Sequence, residues 1–168
     1  MEEEIINKVA ASGLITFNLE DIYPVGERVI YDMKDNLFMG LILKEKDFRQ
    51  FLKENDWSMY KDKYVAVICS EDAIIPQWAF MLLTLHLQPH ARLVHIGDLE
   101  SLEERIFLKE LQKIDFSSFE NARVVVKGCS KITVPSAIYS EVTQLLSPHV
   151  KSLMFGEPCS TVPLFKRK

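Results

Sequence analysis

From residue 64 onward, apolar and polar positions fall into two alternating kinds of block. "YVAVICS" (64–70) is a continuous apolar, β-branched run, the pattern of a strand buried on both faces, and "ARVVVKGCS" (122–130) reads as another strand. "ARLVHIGD" (91–98) and "VKSLMFGEPCS" (150–160) supply two further strands. Between them lie three stretches with helical spacing. "PQWAFMLLTLHL" (76–87) and "PSAIYSEVTQLL" (135–146) each begin with a proline suited to the first turn of a helix. In "LEERIFLKELQKI" (102–114), Leu102, Ile106, Leu108 and Leu111 fall on or near one stripe. Strand–helix–strand units in series predict an α/β fold: a mostly parallel sheet with helices on both faces, in three layers.

The first sixty residues carry a different pattern. "LITFNLEDI" and "ERVIYDM" predict strands around a Tyr-Pro-Val-Gly turn, "FMGLILKE" another short strand, and "EKDFRQFLKEND" a helix. These N-terminal strands are expected to extend the sheet in antiparallel fashion. With 168 residues the chain reads as a single α/β domain over 1–168, large enough to bury a core without disulfides or metals. No long repeat is expected.

Composition narrows the function classes. A net charge of −4 gives no general footprint for nucleic acid, and the basic "FKRK" at the end reads as a solvated tail. "MEEEIINKVA" is acidic where a secretory signal would be basic. The longest apolar run, "AIIPQWAFMLLTLHL", is broken by Pro76, Gln77 and His86 and is too short to span a bilayer. A cytoplasmic protein without membrane or nucleic-acid partners is expected, and in that reducing setting three cysteines are not disulfide partners.

One short element recurs: "CSEDAIIP" (69–76), "CSKITVP" (129–135) and "CSTVP" (159–163). Each joins Cys-Ser to a branched aliphatic residue and a proline. Cys69 ends the first strand of the parallel region, Cys129 ends the third, and Cys159 lies just past the fourth. The carboxyl ends of parallel strands share one rim, where open α/β sheets place ligands. Helix N-termini behind Pro76 and Pro135 would favour thiolate, the form that binds metals or attacks electrophiles. Soft donors point to zinc or an iron–sulfur cluster. Asp98, ending "HIGD" on the same rim, is the candidate fourth ligand, and Glu71, Asp72 and Glu157 are further carboxylates nearby. His95 would lie deeper in the sheet, as a core histidine, while His86, His90 and His149 read as structural or surface residues. Lys127 could lower the pKa of Cys129. Gly128 and Gly156 would permit close backbone approach or positive φ. No close C-x-x-C pair is present, and two other readings stay open. One is a thiol enzyme with Cys129 or Cys159 as nucleophile and another cysteine resolving a disulfide or persulfide. The other is a scaffold with inert cysteines.

Four stretches, "NKVAASGLITFNLEDIYP", "YVAVICSEDAIIPQWAFMLL", "VVVKGCSK" and "LMFGEPCSTVPLFKRK", carry a resemblance. Over essentially the whole chain the sequence resembles the bacterial domain-of-unknown-function family DUF2480. The resemblance implies an accessory role in iron–sulfur cluster assembly for Cys69, Cys129 and Cys159, with assembly proteins as partners. It supplies no catalytic residue.

Overall fold

The computed structural model describes residues 13–128 and 131–168. Its mixed α/β chain forms two compact units: residues 13–23 with 107–168, the first unit, and residues 24–106, the second. Each is built on its own mostly parallel sheet.

In the second unit the strands are β2 (Arg28–Asp32), β3 (Tyr64–Ile68) and β4 (Leu93–Ile96), ordered β2-β3-β4 and all parallel. The helices are α1 (Glu45–Glu54), α2 (Gln77–Leu87) and the first turns of α3 (Leu99–Leu111). Alternation along β3 sends side chains to opposite faces. Val65 and Val67 pack with Phe48 and Leu52 of α1 and Ala79, Leu83 and Leu87 of α2. Tyr64 and Ala66 pack with Leu93 and with Leu102 and Ile106 of α3. This sheet is therefore covered by helices on both faces, which is why β3 reads as an unbroken apolar run.

In the first unit β1 (Leu14–Asn18), β5 (Arg123–Lys127), β6 (Ser152–Glu157) and β7 (Ser160–Lys166) are ordered β1-β5-β6-β7. β7 is antiparallel to β6, and the other pairs are parallel. Val124 and Val126 pack with Ile138, Val142 and Leu146 of α4 (Ser136–Leu146), together with Phe17, Phe107, Leu111 and Phe116.

The α/β class and the parallel pairing match expectation, but the details of the sheet do not. There are two sheets rather than one. The N-terminal strands are not an antiparallel extension, since β1 and β2 pair parallel with β5 and β3. The Tyr-Pro-Val-Gly stretch thus carries the chain from one sheet to the other instead of closing a hairpin. Parallel partners need long crossovers, and β2 reaches β3 through α1. "FMGLILKE" forms no strand. It holds a single antiparallel bridge, Phe38 to Ile42, around Met39 and Gly40 at φ 54° and 68°. The hairpin strand β7 is an addition that periodicity missed.

A long repeat is also present, contrary to expectation. Residues 56–98 and 115–157 follow one plan at a constant offset of 59 positions. Asp56 and Asp115 cap the same 3-10 turn, accepting from Ser58 N and Ser117 N at 2.9 and 3.0 Å. Asp62 and Asn121 both take the left-handed conformation, at φ 60° and 59°, and donate to the carbonyls of His90 and His149. Pro76 and Pro135 precede α2 and α4. Thr84 and Thr143 return their hydroxyls to Phe80 O and Tyr139 O. Gly97, just after β4, and Gly156, next to last in β6, both take positive φ.

Candidate functional site

The duplicated plan places a strand-to-helix loop in each unit, and both loops are pinned by the strand next door. In the second unit Asp32, at the end of β2, accepts from Ser70 N at 3.0 Å. Asp32 also caps its own 3-10 turn through Lys34 N. In the first unit Glu20, in the turn after β1, accepts from Lys131 N at 3.0 Å. A carboxylate thus holds each loop at the carboxyl end of its sheet.

Cys69 follows β3 directly and is half-buried, its Sγ donating to Glu71 O at 3.5 Å. Asp98 follows β4, which is paired with β3, so Cys69 and Asp98 leave neighbouring strands at the same level. Asp98 already has a structural task. Its Oδ1 accepts from Ser101 N at 2.9 Å and Ser101 Oγ at 2.8 Å, capping α3. Those hydrogen bonds, backbone first, hold its carboxyl below the ordinary aspartate range. An aspartate lowered in the folded state stabilises it above the unfolded pKa and loses that contribution as pH falls through the folded value. Asp56 and Asp115 are lowered by their Ser58 and Ser117 hydrogen bonds in the same way. Urea midpoints should therefore fall as pH drops below about 4. Asp98→Asn should flatten the acid slope while keeping the cap, and an unchanged slope would show that the cap contributes nothing.

Cys159 is exposed in the two-residue turn of the β6–β7 hairpin, closed by Glu157 opposite Ser160. Gly156 makes the hairpin possible: it sits at φ +123°, and a Cβ there would lie 2.7 Å from Ser160 O. Gly128 has a different reason to be glycine, since a Cβ would lie 2.8 Å from Tyr139 Oη. Cys129 lies outside the described residues. The strand before it ends at Lys127, whose Nζ lies 3.0 Å from Glu157 Oε1. That hydrogen bond raises the lysine pKa and directs its charge to Glu157. The parallel β5–β6 pair is thus tied at its carboxyl end, with Cys129 and Cys159 each two residues further along the chain.

The second unit holds Cys69 and Asp98, and the first holds Cys159. Among the described residues no group of three or more His, Cys, Asp or Glu side chains is gathered as a metal site. His95 is not the satisfied core histidine expected, since its Nε2 is buried without a hydrogen-bond partner among the described residues. His95 is half-buried, and burial, with Arg105 adding repulsion, lowers its pKa. His86 Nδ1 lies 2.9 Å from Leu82 O, and His149 Nδ1 lies 3.3 Å from Glu120.

From the sequence, Trp78, Phe80 and Met81 near the start of α2 could wall a pocket but read rather as core packing. The structure has an apolar groove in each unit, and Phe80 and Met81 line one of them. One of ≈ 470 Å³ is lined by Gln77, Phe80, Met81, Thr84, Leu85 and Ile96. The other, of ≈ 320 Å³, is lined by Val126, Tyr139, Thr143, Phe155, Val162 and Leu164. Phe80, Thr84 and Ile96 are the repeat counterparts of Tyr139, Thr143 and Phe155, so the grooves occupy one structural position. The missed repeat was the signal for both.

Among the described residues, these features define an α/β protein with one thiol just past a strand, at Cys69, and one in a hairpin turn, at Cys159. The chain belongs to the DUF2480 family, described as a protein of unknown function, whose model matches residues 3–167. No curated protein and no solved structure matches the chain. No helix among the described residues is long and apolar enough to cross a membrane.

Proposed function

We propose that this chain binds a thiophilic metal, zinc or an iron–sulfur cluster, through cysteine thiolates, and that Cys129 and Cys159 form the central pair. One observation supports the pairing: the Lys127–Glu157 ion pair joins the two strand ends from which these cysteines follow. Two thiolates are soft donors that suit zinc or iron. Cys69 and Asp98, which leave neighbouring strands of the second unit, are further candidate ligands. An accessory part in iron–sulfur cluster assembly, with assembly proteins as partners, is the role such a site would serve.

Anaerobic purification followed by measurement of bound zinc, iron and acid-labile sulfide tests the proposal. Cys129→Ser and Cys159→Ser should each lower bound metal at least tenfold, and Cys69→Ser should lower it less. Protein that holds no metal, and takes up neither zinc nor ferrous iron with sulfide, would overturn it.

The exposure of Cys159 favours a second reading, in which this thiol accepts and passes on sulfur as a persulfide. Mass spectrometry after treatment with a sulfur donor would then find a stable added sulfur on Cys159, with no metal required.

A further inference from the structure

The two grooves occupy the same place in the repeated plan but differ in what lies beside them. In the first unit β7 runs antiparallel along β6, and Val162 and Leu164 form one wall of the groove. In the second unit, among the described residues, β4 pairs only with β3 and its other edge carries no strand. The two edges also differ in chemistry. β7, "STVPLFK", carries Pro163 and Lys166, the residues that blunt an edge against further pairing. β4, "LVHI", has neither proline nor a permanently charged residue.

Helix positions say how much is missing. Beyond the groove of the first unit, α4 presents Ser140 and Gln144, both exposed and polar. Their counterparts on α2 are Met81 and Leu85, 68% and 58% exposed. Ile96 on β4, at 45%, continues the patch. A lone added strand is enough where the helix beside it is polar. The second unit offers an apolar helix flank as well as a strand edge, so its occupant must bring both.

We propose that the edge of β4 with the α2 flank is a homodimer interface, in which β4 pairs antiparallel with β4 of a second copy about a twofold axis. A twofold axis normal to the sheet makes two identical strands antiparallel, the direction β7 already takes on β6. It also keeps one face of the joined sheet continuous. Met81, Leu85 and Ile96 of one copy then meet the same residues of the other. This contact supplies strand and helix together, and removes an exposed apolar patch that a monomer would leave in water.

Sedimentation equilibrium of the full chain, with chelator and reductant to exclude metal- or sulfur-bridged association, provides the test. The mass should be twice 19.4 kDa. Met81→Lys/Leu85→Lys and Ile96→Lys change only exposed side chains. Each should return the mass to that of one chain with unchanged circular dichroism. Amides of β4 should exchange with deuterium faster in these variants than in the parent. A parent chain that stays monomeric at several hundred micromolar, with β4 amides exchanging at the same rate in parent and variants, would overturn the proposal. So would a dimer that persists in both variants. Because the measurement is made without metal, its outcome is independent of the thiolate proposal.

Discussion

Leu146→Ala should destabilise the protein by about 2–5 kcal/mol, the range for truncating a fully buried leucine when the site cannot collapse around the gap. Leu146 is 0% exposed at the end of α4, in a core with Phe107, Phe116, Val124 and Leu153. Those neighbours belong to two strands, a helix and a 3-10 turn whose backbones are fixed by hydrogen bonding, so little can move inward. Leu87, also 0% exposed, is the same residue in the other copy of the repeat and predicts a loss of the same size. Urea unfolding checks both, since the midpoint should fall while the slope with denaturant stays unchanged. Hydrogen exchange adds location, because Leu146→Ala should weaken protection in β5 and α4 and Leu87→Ala in β3 and α2. Ser140→Ala, exposed on α4, should stay within about 0.5 kcal/mol of the parent. A loss under about 1 kcal/mol in both leucine variants would contradict the packing described.

The repeat behind that pairing was hidden by the way the sequence varies. What the two copies share is burial rather than letters: Trp57 stands for Phe116, Leu83 for Val142, Ala79 for Ile138. Apolar residues of different shape fill equivalent sites because a core constrains volume and hydrophobicity more than identity. The letters that do match, such as Asp56/Asp115, Pro76/Pro135, His90/His149 and Gly97/Gly156, mark turns and caps where backbone geometry limits the choice. The Cys-Ser element that attracts the eye is out of frame with this repeat, for Cys69 corresponds to Gly128 and Cys129 to Ser70. Its third occurrence starts in a hairpin turn and runs into β7, unlike the first, which leads from β3 into the loop before α2.

Helices and buried strands were readable because their periodicity is local. β3 is an unbroken apolar run, β5 holds three consecutive valines, and α2 and α4 begin after prolines. Partnership was not readable. β1 pairs with β5 across about a hundred residues, and nothing within either strand encodes that choice. β7 was missed because Pro163 argues against a central strand, whereas it occupies an edge, where proline is tolerated. Asp98 was noticed for its position at a strand end. The capping sequence Asp98-Leu-Glu-Ser101 was an equally good signal for its bonds to Ser101.

Arg28→Ala should cost about 2–4 kcal/mol, because it removes the cation from a cluster shielded from water and leaves its partners behind. Arg28 Nε lies 2.7 Å from Glu103 Oε1, and their side chains are 13% and 22% exposed. Its Nη1 also donates to Pro24 O and Gly26 O at 3.1 and 2.6 Å, and the guanidinium lies 4.7 Å above the Tyr64 ring. One side chain thereby fastens α3 to β2 and orders the segment that enters β2. Arg28→Lys keeps the charge but loses the planar fork that serves a carboxylate and two carbonyls together, so it should recover only part of the loss. Arg28→Met combined with Glu103→Leu separates the two contributions to that loss. Removing both charges avoids stranding a carboxylate, so the double variant should be more stable than Arg28→Ala even though it lacks the ion pair. If the double variant is as unstable as Arg28→Ala, the carbonyl contacts and the stacking on Tyr64 carry the stability, and the ion pair adds nothing. If Arg28→Ala stays within about 0.5 kcal/mol of the parent, the cluster is no better than a solvated surface pair.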